Sequence, residues 1–424
     1  MKKKVLFVTP VLSYPIFNGP TLRIDTSIKA LSKICDLYVF SIKRMNEIGG
    51  VNADNYFANN SNGIIYLEQT IYLEKSYKVI NKINNKINII PFFPKFFTKI
   101  SNYILARSIS IYVDKQKFDV VWFAFGGVSY GLMKMFKHIK PNIPIICDTD
   151  SVWSRFILRE LPFVDDNIKY KKVKMSGMLK ELEEKEGVEY CDITTAVSDI
   201  DAEYFLSIST TPNKIKIFSN VIDLENYPTE FAKPKDFKTP SIYLAGSFFV
   251  KNSSMEIAAR WFILNVLTII RKEFPNIHLY IIGNGSDVYL SDIVDINITI
   301  TGRVESVFQY LCNSDVSIVP LFFESGTRFK ILEAGACNIP VVSTTLGAEG
   351  IPVTNEKDIL IADTVEDFAF AVIRVLKNKN FAETIAYNLK QLVYNKYSVD
   401  YLSIQGKDIL DSIDNVKHIK TSND

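Results

Sequence analysis

Residues 320–351 read PLFFESGTRFKILEAGACNIPVVSTTLGAEGI. Val316 to Pro320 is a short apolar strand that ends in a loop holding Ser325, Gly326 and Thr327. A helix then begins, carrying Arg328, Lys330 and Glu333, and after a break at Asn338 a second apolar strand runs from Pro340 to Ser343. Strand, Gly/Ser/Thr loop and helix start together make an anion site. The first helical turn has free N–H groups and the positive end of the dipole, and Gly326 lets a phosphate come close to the backbone. Thr327 reads as the N-cap. Arg328 can grip a phosphate bidentately and Lys330 adds positive charge. Glu333 follows Arg328 by roughly 7–8 Å along a helix axis, which suits a carboxylate that takes the hydroxyls of a ribose whose diphosphate sits at the helix start. The same residues also fit an ordinary amphipathic crossover helix with a solvated Arg/Lys/Glu face.

Upstream, the same unit of strand, turn and helix recurs. Ser241 to Ala245 is a strand, followed by Gly246 and Ser247, a turn containing Lys251, and a helix from about Ser253 to Glu273. His278 to Ile282 is the next strand and ends in Gly283-Asn284-Gly285, a turn that can approach a nucleotide. Ile296 to Thr301 follows, with Gly302 and Arg303 after it; Arg303 reads either as a residue beside a base or as a surface arginine. Ile359 to Ile361 is the last strand, and helices cover Val365 to Lys377 and most of Phe381 to Asp411.

The N-terminal half opens in the same way. Val5 to Thr9 is a continuous apolar run, as a buried parallel strand requires. A Pro/Gly-rich loop, a helix over Leu22 to Ile34 and a strand over Leu37 to Ser41 complete the first unit of a doubly wound α/β domain. Ligands bind at the carboxyl ends of such strands, so Gly19 and Arg23 are candidates there, against the plainer reading of a βα turn with a solvated arginine. Further strands are read at Asp119 to Phe125, Ile143 to Cys147, Asp192 to Ala196 and Ile215 to Phe218. Asp148, Thr149 and Asp150 stand at the carboxyl end of the second of these. A lone Asp-x-Asp is weak evidence for a metal site; an acidic group at the carboxyl end of the strand, placed to touch a ligand, is the preferred reading. Arg155 to Tyr190 reads as a long helical region with LKELEEKE as its solvated face, and Ser198 as the N-cap of the helix after it.

Residues 46–107 differ in texture and read as an insertion rich in Asn, Lys and aromatics. Between Glu74 and Arg107 lysines alternate with Ile, Phe and Tyr. Two surface helices with a buried apolar face explain this. A peripheral contact with an anionic membrane through 74–107 is the competing explanation.

At 424 residues the chain is long enough for two domains of about 200 residues each. A net charge of +2 gives no footprint for nucleic acid. Five scattered cysteines and three histidines show no metal-ligand spacing, so the thiols read as structural in a reducing compartment. MKKKVLFVTP reads as a first strand and not as a signal peptide. No apolar run reaches the roughly 18–20 residues of a membrane span. The expected location is the cytoplasm, or the inner face of the plasma membrane under the second reading of 74–107.

GTRFKILEA followed by PVVSTTLGAEGI closely resembles the donor-site segment of GT-B glycosyltransferases of the family 4 type. SNVIDLENYP (Ser219 to Pro228) resembles the interdomain turn of that family, with Val221 where glycine is usual. The resemblance implies two Rossmann-like doubly wound domains facing across a cleft: an acceptor-side domain over 1–225, a nucleotide-sugar domain over 226–398, and a crossover helix and tail over 399–424 returning to the first. It implies a retaining, metal-independent transferase with a nucleotide sugar as donor, a saccharide or lipid-linked saccharide as acceptor, and bacterial surface polysaccharide or glycolipid as product. Glu333 would then hold the ribose. Gly19, Gly246, Ser247, Lys251, Gly283, Arg303, Gly326 and Thr327 would line the donor, with Arg328 and Lys330 on its diphosphate and Arg23 on the acceptor side. Three departures stand out. The turn after Ala245 lacks the arginine of the family's phosphate clamp and offers only Lys251. The acceptor-side domain lacks a histidine at the cleft, where Asp148 or Asp150 would substitute. Glu324 and Glu333 are separated by eight residues, one more than the family's paired glutamates. A non-catalytic partner subunit of the same fold and a sugar-nucleotide epimerase are the alternatives.

Overall fold

The computed structural model describes residues 2–67 and 94–421. Among these the chain forms two compact units, Met1–Asn220 with Val399–Asp424, and Val221–Ser398.

In the first unit, β1 (Lys4–Thr9), β2 (Asp36–Ser41), β3 (Gly63–Tyr66), β4 (Val120–Ala124), β5 (Ile145–Asp148), β6 (Ile193–Ala196) and β7 (Ile215–Ile217) form one sheet in the order β3-β2-β1-β4-β5-β6-β7. All pairs are parallel; Val5 stands beside Leu37 on one side and Val120 on the other. Such strands are covered on both faces, which is why β1 and β4 read as unbroken apolar runs. One face packs into a core containing Leu6, Val8, Phe40, Val121, Phe123, Phe136 and Ile145. β3 lies inside the segment expected to be an insertion. It is an edge strand of this sheet, paired from Tyr38↔Gly63 to Ser41↔Tyr66, and the Gly50–Asn59 helix precedes it. Its four residues are too short a run to stand out against that composition. Residues 74–93, part of the proposed membrane segment, lie outside the described residues. The helix Pro94–Gln116 that follows buries Ile104, Leu105, Ile109 and Val113 in the core, as a packed helix does.

The long helical region expected from Arg155 consists of two helices. A helix over Trp153–Arg159 ends at a turn, Leu161–Phe163, containing Pro162, and a second helix runs over Asn167–Tyr190. Proline lacks the N–H that a continuous helix would need there.

The second unit has β8 (Ser241–Ala245), β9 (His278–Ile282), β10 (Ile298–Ile300), β11 (Val316–Val319), β12 (Val341–Ser343) and β13 (Leu360–Ile361), again all parallel, in the order β10-β9-β8-β11-β12-β13. Ser253 caps the helix Ser254–Trp261, which continues through a π-turn at Phe262–Val266 into Leu267–Glu273. In both units the strand order reverses beside the first strand, which opens a crevice at the carboxyl ends.

The last helix, Val399–Thr421, belongs to the first unit. Leu402, Ile409 and Ile413 are buried. Gly406 lies against Leu31, Ile34 and Phe218, so this helix packs on the helix Gly19–Ser32. The Gln405 side chain accepts from Ser219 N–H at 2.9 Å and donates to Ser219 Oγ at 3.2 Å. Among the described residues no helix is long and apolar enough to cross a membrane.

Candidate functional site

In the second unit, the turns after β8, β9 and β10 are tied together by backbone hydrogen bonds. Gly246 N–H donates to Ile282 O at 3.0 Å and Gly283 N–H to Gly302 O at 2.9 Å. Gly302 N–H donates to Ser286 Oγ at 3.1 Å, and Phe248 N–H to Asn284 O at 2.8 Å. Gly283 has φ +142°, and a Cβ there would run into the Gly246 carbonyl. Three turns that are 37 and 19 residues apart in sequence, at Gly246, Gly283 and Gly302, therefore form one surface. Ser247 is partly buried in it; Lys251 and Arg303 are exposed.

The loop after β11 joins this surface through the Ser254–Trp261 helix. Ser254 Oγ donates to Glu324 at 2.8 Å. Lys330 Nζ lies 3.1 Å from Met255 Sδ, and the Met255 side chain packs on Gly246. Burial lowers the Lys330 pKa, Glu324 opposes that, and Arg328 adds to it. Gly326 takes φ +79°, and the helix after this left-handed residue begins one residue later than expected. Thr327 is therefore not the N-cap: the helix is Phe329–Ala336, Arg328 occupies the cap position with extended backbone, and no side chain caps it. The Arg328 guanidinium instead folds back to donate to the Gly326 carbonyl. Ser325 Oγ and Thr327 Oγ1 are buried hydroxyls without a hydrogen-bond partner.

Glu333 projects from the second turn of this helix. Its Oε1 accepts from the Tyr227 hydroxyl at 3.2 Å. Burial raises the Glu333 pKa, while the Tyr227 hydrogen bond and Lys330 hold it down. Burial, then the Glu333 charge, pushes Tyr227 well above its ordinary value. The Tyr227 ring meets Phe308 edge-on at 5.5 Å, and Cys312 Sγ donates to Pro228 O at 3.3 Å, fixing the segment that carries it. Sequence reading missed Tyr227. Its contact spans 106 residues, and the one local signal was the aromatic residue just ahead of Pro228.

The first unit rearranges its candidates more. Gly19 is not in a loop; it is the first residue of the Gly19–Ser32 helix, capped by Asn18, whose Oδ1 accepts from Thr21 N–H at 3.0 Å. Arg23, expected on the acceptor side or in solvent, is 2% exposed. It donates to Asp148 Oδ1 at 2.5 Å, Asn220 Oδ1 at 2.6 Å and the carbonyls of Thr149 and Phe218 at 3.0 and 3.3 Å. Asp148 is 0% exposed, is the last residue of β5 instead of the first of a loop, and also accepts from Thr195 Oγ1 at 2.8 Å. A guanidinium buried this fully needs a carboxylate to offset its lost hydration, so Arg23 and Asp148 form an internal pair. Neither presents charge to a ligand at the surface.

Asp150, two residues on, is partly exposed. Trp153 Nε1–H donates to its Oδ1 at 3.1 Å. Burial pushes its pKa up to about 6, against the pull of Trp153 and Arg23. Beside it stands the Gly126-Gly127 turn: a Cβ on Gly127 would strike the Trp153 indole and one on Gly126 the Cys147 sulfur, and Lys180 donates to the Gly127 carbonyl. Among the described residues no group of three or more His, Cys, Asp or Glu is placed to hold a metal ion.

Comparison with known proteins fits this geometry. Residues 240–378 match the family model described as Glycosyl transferases group 1. Among curated proteins, the chain is 25% identical over 171 residues to an uncharacterized 44.6 kDa protein in the cps region of Klebsiella pneumoniae, covering 38% of this chain and 44% of that protein. It is 22% identical over 264 residues to an uncharacterized glycosyltransferase of Methanocaldococcus jannaschii, covering 56% and 64%. The chain thus spans about half to two thirds of the length of the curated relatives it matches. Among solved structures, a glycosyltransferase from Rickettsia africae superposes with a TM-score of 0.65 at 14% identity, covering 97% of this chain and 98% of that one. Anabaena HepE in complex with UDP and glucose gives 0.61 at 13%, covering 97% and 100%.

Proposed function

We propose that this chain, which has the GT-B fold and carries a group 1 glycosyl transferase domain over residues 240–378, moves a sugar from a nucleotide-sugar donor to an acceptor hydroxyl with retention at the anomeric carbon. The observation that carries the proposal is the loop and helix Ser325–Glu333. Two buried hydroxyls there lack partners, and buried polar groups in folded proteins are nearly always satisfied. A donor phosphate would satisfy both. Arg328 and Lys330 stand beside it to neutralise the diphosphate, and Glu333, held on one oxygen by Tyr227, has its other oxygen for a ribose hydroxyl.

In this reaction the bond between the anomeric carbon and the diphosphate oxygen breaks as the acceptor oxygen bonds to the same face, and the acceptor proton leaves with the departing phosphate. Charge builds on the diphosphate and on the sugar ring, so fixed charges that need no rearrangement lower the barrier. The cations and loop N–H groups serve the diphosphate without a metal ion. Asp150 is the acidic group left to serve the sugar or the acceptor, since Asp148 is spent on Arg23. The acceptor is a saccharide or lipid-linked saccharide; the likeness to a protein of a Klebsiella cps region supports surface polysaccharide as the product, made at the cytoplasmic side of the membrane.

Thermal-shift measurement of the purified chain against UDP-, GDP-, dTDP- and CMP-sugars, without added metal, tests this. One nucleotide class is expected to raise the melting temperature, by about 2.7 kcal/mol of added stability at a hundred times its Kd, and Glu333→Gln to abolish most of the shift. No shift with any class would instead favour a non-catalytic partner subunit, the reading to which the missing clamp arginine beside Lys251 points.

A further inference from the structure

The helix Asn167–Tyr190 is apolar on two opposite faces. Gly177, Gly187 and Val188 are buried, with Leu158 packed on Gly177 and Tyr130 on Gly187. Ile168, Met175, Leu179 and Leu182 are exposed, by 67%, 60%, 51% and 60%. At 3.6 residues per turn these four fall within a sector of about 60° on the side away from the buried glycines. Lys171 and Lys172 flank the sector. Residues 167–180 contain five lysines and no acidic residue, whereas residues 181–189 carry Glu181, Glu183, Glu184, Glu186 and Glu189 against Lys185, so the positive charge lies on the N-terminal half of the helix. Sequence reading took the charged run LKELEEKE for the solvated face of this helix, and that run contains Leu179 and Leu182.

A continuous apolar row in water is unfavourable unless something covers it. Whatever does so must also accept the lysines. A second copy laid parallel would set lysines against lysines, and one laid antiparallel would offer Glu183 and Glu186, which Lys180 and Lys134 already engage, whereas anionic headgroups neutralise the lysines while their acyl region takes the apolar row. We propose that this face of the Asn167–Tyr190 helix seats the protein on an anionic membrane surface, the helix lying parallel to the plane. The proposal stands apart from the reading of the C-terminal unit and fails or holds independently of it.

The test is co-sedimentation of the full chain with vesicles of equal parts phosphatidylglycerol and phosphatidylcholine, beside vesicles of phosphatidylcholine alone. The chain is expected to pellet with the first and remain in solution with the second. Lys171→Glu and Lys172→Glu are each expected to weaken binding about fivefold or more, and Met175→Asp with Leu179→Asp to weaken it at least about tenfold. All four positions are exposed, so the melting temperature should stay at the wild-type value. A wild-type chain that ignores anionic vesicles would overturn the proposal, as would equal binding to both vesicle types or variants that bind as wild type does. So would light scattering that shows a wild-type dimer which Met175→Asp with Leu179→Asp makes monomeric, because the row would then be covered by a second copy.

Discussion

Tyr227 gives Glu333 one hydrogen bond and helps keep it ionised where burial works against the charge. Tyr227→Phe keeps the ring on Phe308 and removes only that bond, a loss of about 0.5–1.5 kcal/mol, or roughly 2- to 10-fold in donor affinity by titration calorimetry. The pH dependence separates this from a packing effect. With less support for the carboxylate, the Glu333 pKa rises further, so the variant should lose donor binding at a higher pH than wild type as the solution is acidified. Superimposable pH profiles would remove Tyr227 from the site. Asp150 gives the second pH test. Its folded-state pKa of about 6 lies above the ordinary 3.8, so its protonated form favours the folded chain. That stabilisation is complete below about pH 4 and is lost as pH rises through about 6. Asp150→Asn cannot ionise and should be more stable than wild type at about pH 7.5, by about 1–2 kcal/mol after allowance for partial exposure, with the gap closing as the pH falls to about 4 and below. A gap that keeps its full size at about pH 4 would mean that ionisation is not its cause. Neither residue's situation was legible locally. The two aspartates of Asp148-Thr149-Asp150 look alike in sequence, and only an arginine 125 residues away makes one an internal ion and leaves the other at the surface.

At the scale of elements, the strands were legible because parallel sheets bury both faces: β1 lies in the apolar run that marked it, and β8 and β9 run over the residues read as strands. Helix ends were less so. Thr327 is a good cap by type, but the backbone at Gly326 decides where the helix can begin, and a left-handed residue leaves no mark beyond the glycine itself. β3 escaped notice because four residues in an Asn-rich segment carry too little pattern, and the outward row at 168–182 because a helix that buries one face gives no sequence sign of a second. The turns around Gly283 were legible as turns, yet not as a unit. Since a Cβ at Gly283 meets backbone and not a yielding side chain, Gly283→Ala should separate the β8 and β9 turns. An unfolding free energy lower by at least about 1–3 kcal/mol in urea is expected from the strained φ alone, together with loss of the nucleotide-induced thermal shift. A variant as stable as wild type would show that the turns are not braced in this way.

For the whole molecule, the first unit depends on the last residues of the chain. Gln405 satisfies both the N–H and the hydroxyl of Ser219. Gln405→Ala leaves that buried N–H unpaired, and a loss of about 1–3 kcal/mol is expected, read as a lower urea midpoint for the first unit; an unchanged midpoint would show that Ser219 finds another partner. The second unit is a single uninterrupted stretch, 221–398, set inside a first unit made of two stretches. Order of synthesis and order of completion are therefore nested. The ribosome starts the first unit, must hold it open while it makes all of the second, and closes it only when Leu402, Ile409 and Ile413 emerge. A premature stop just before Val399 would release a finished second unit attached to an N-terminal half that had never been sealed, and quality control in the cell would meet that half first.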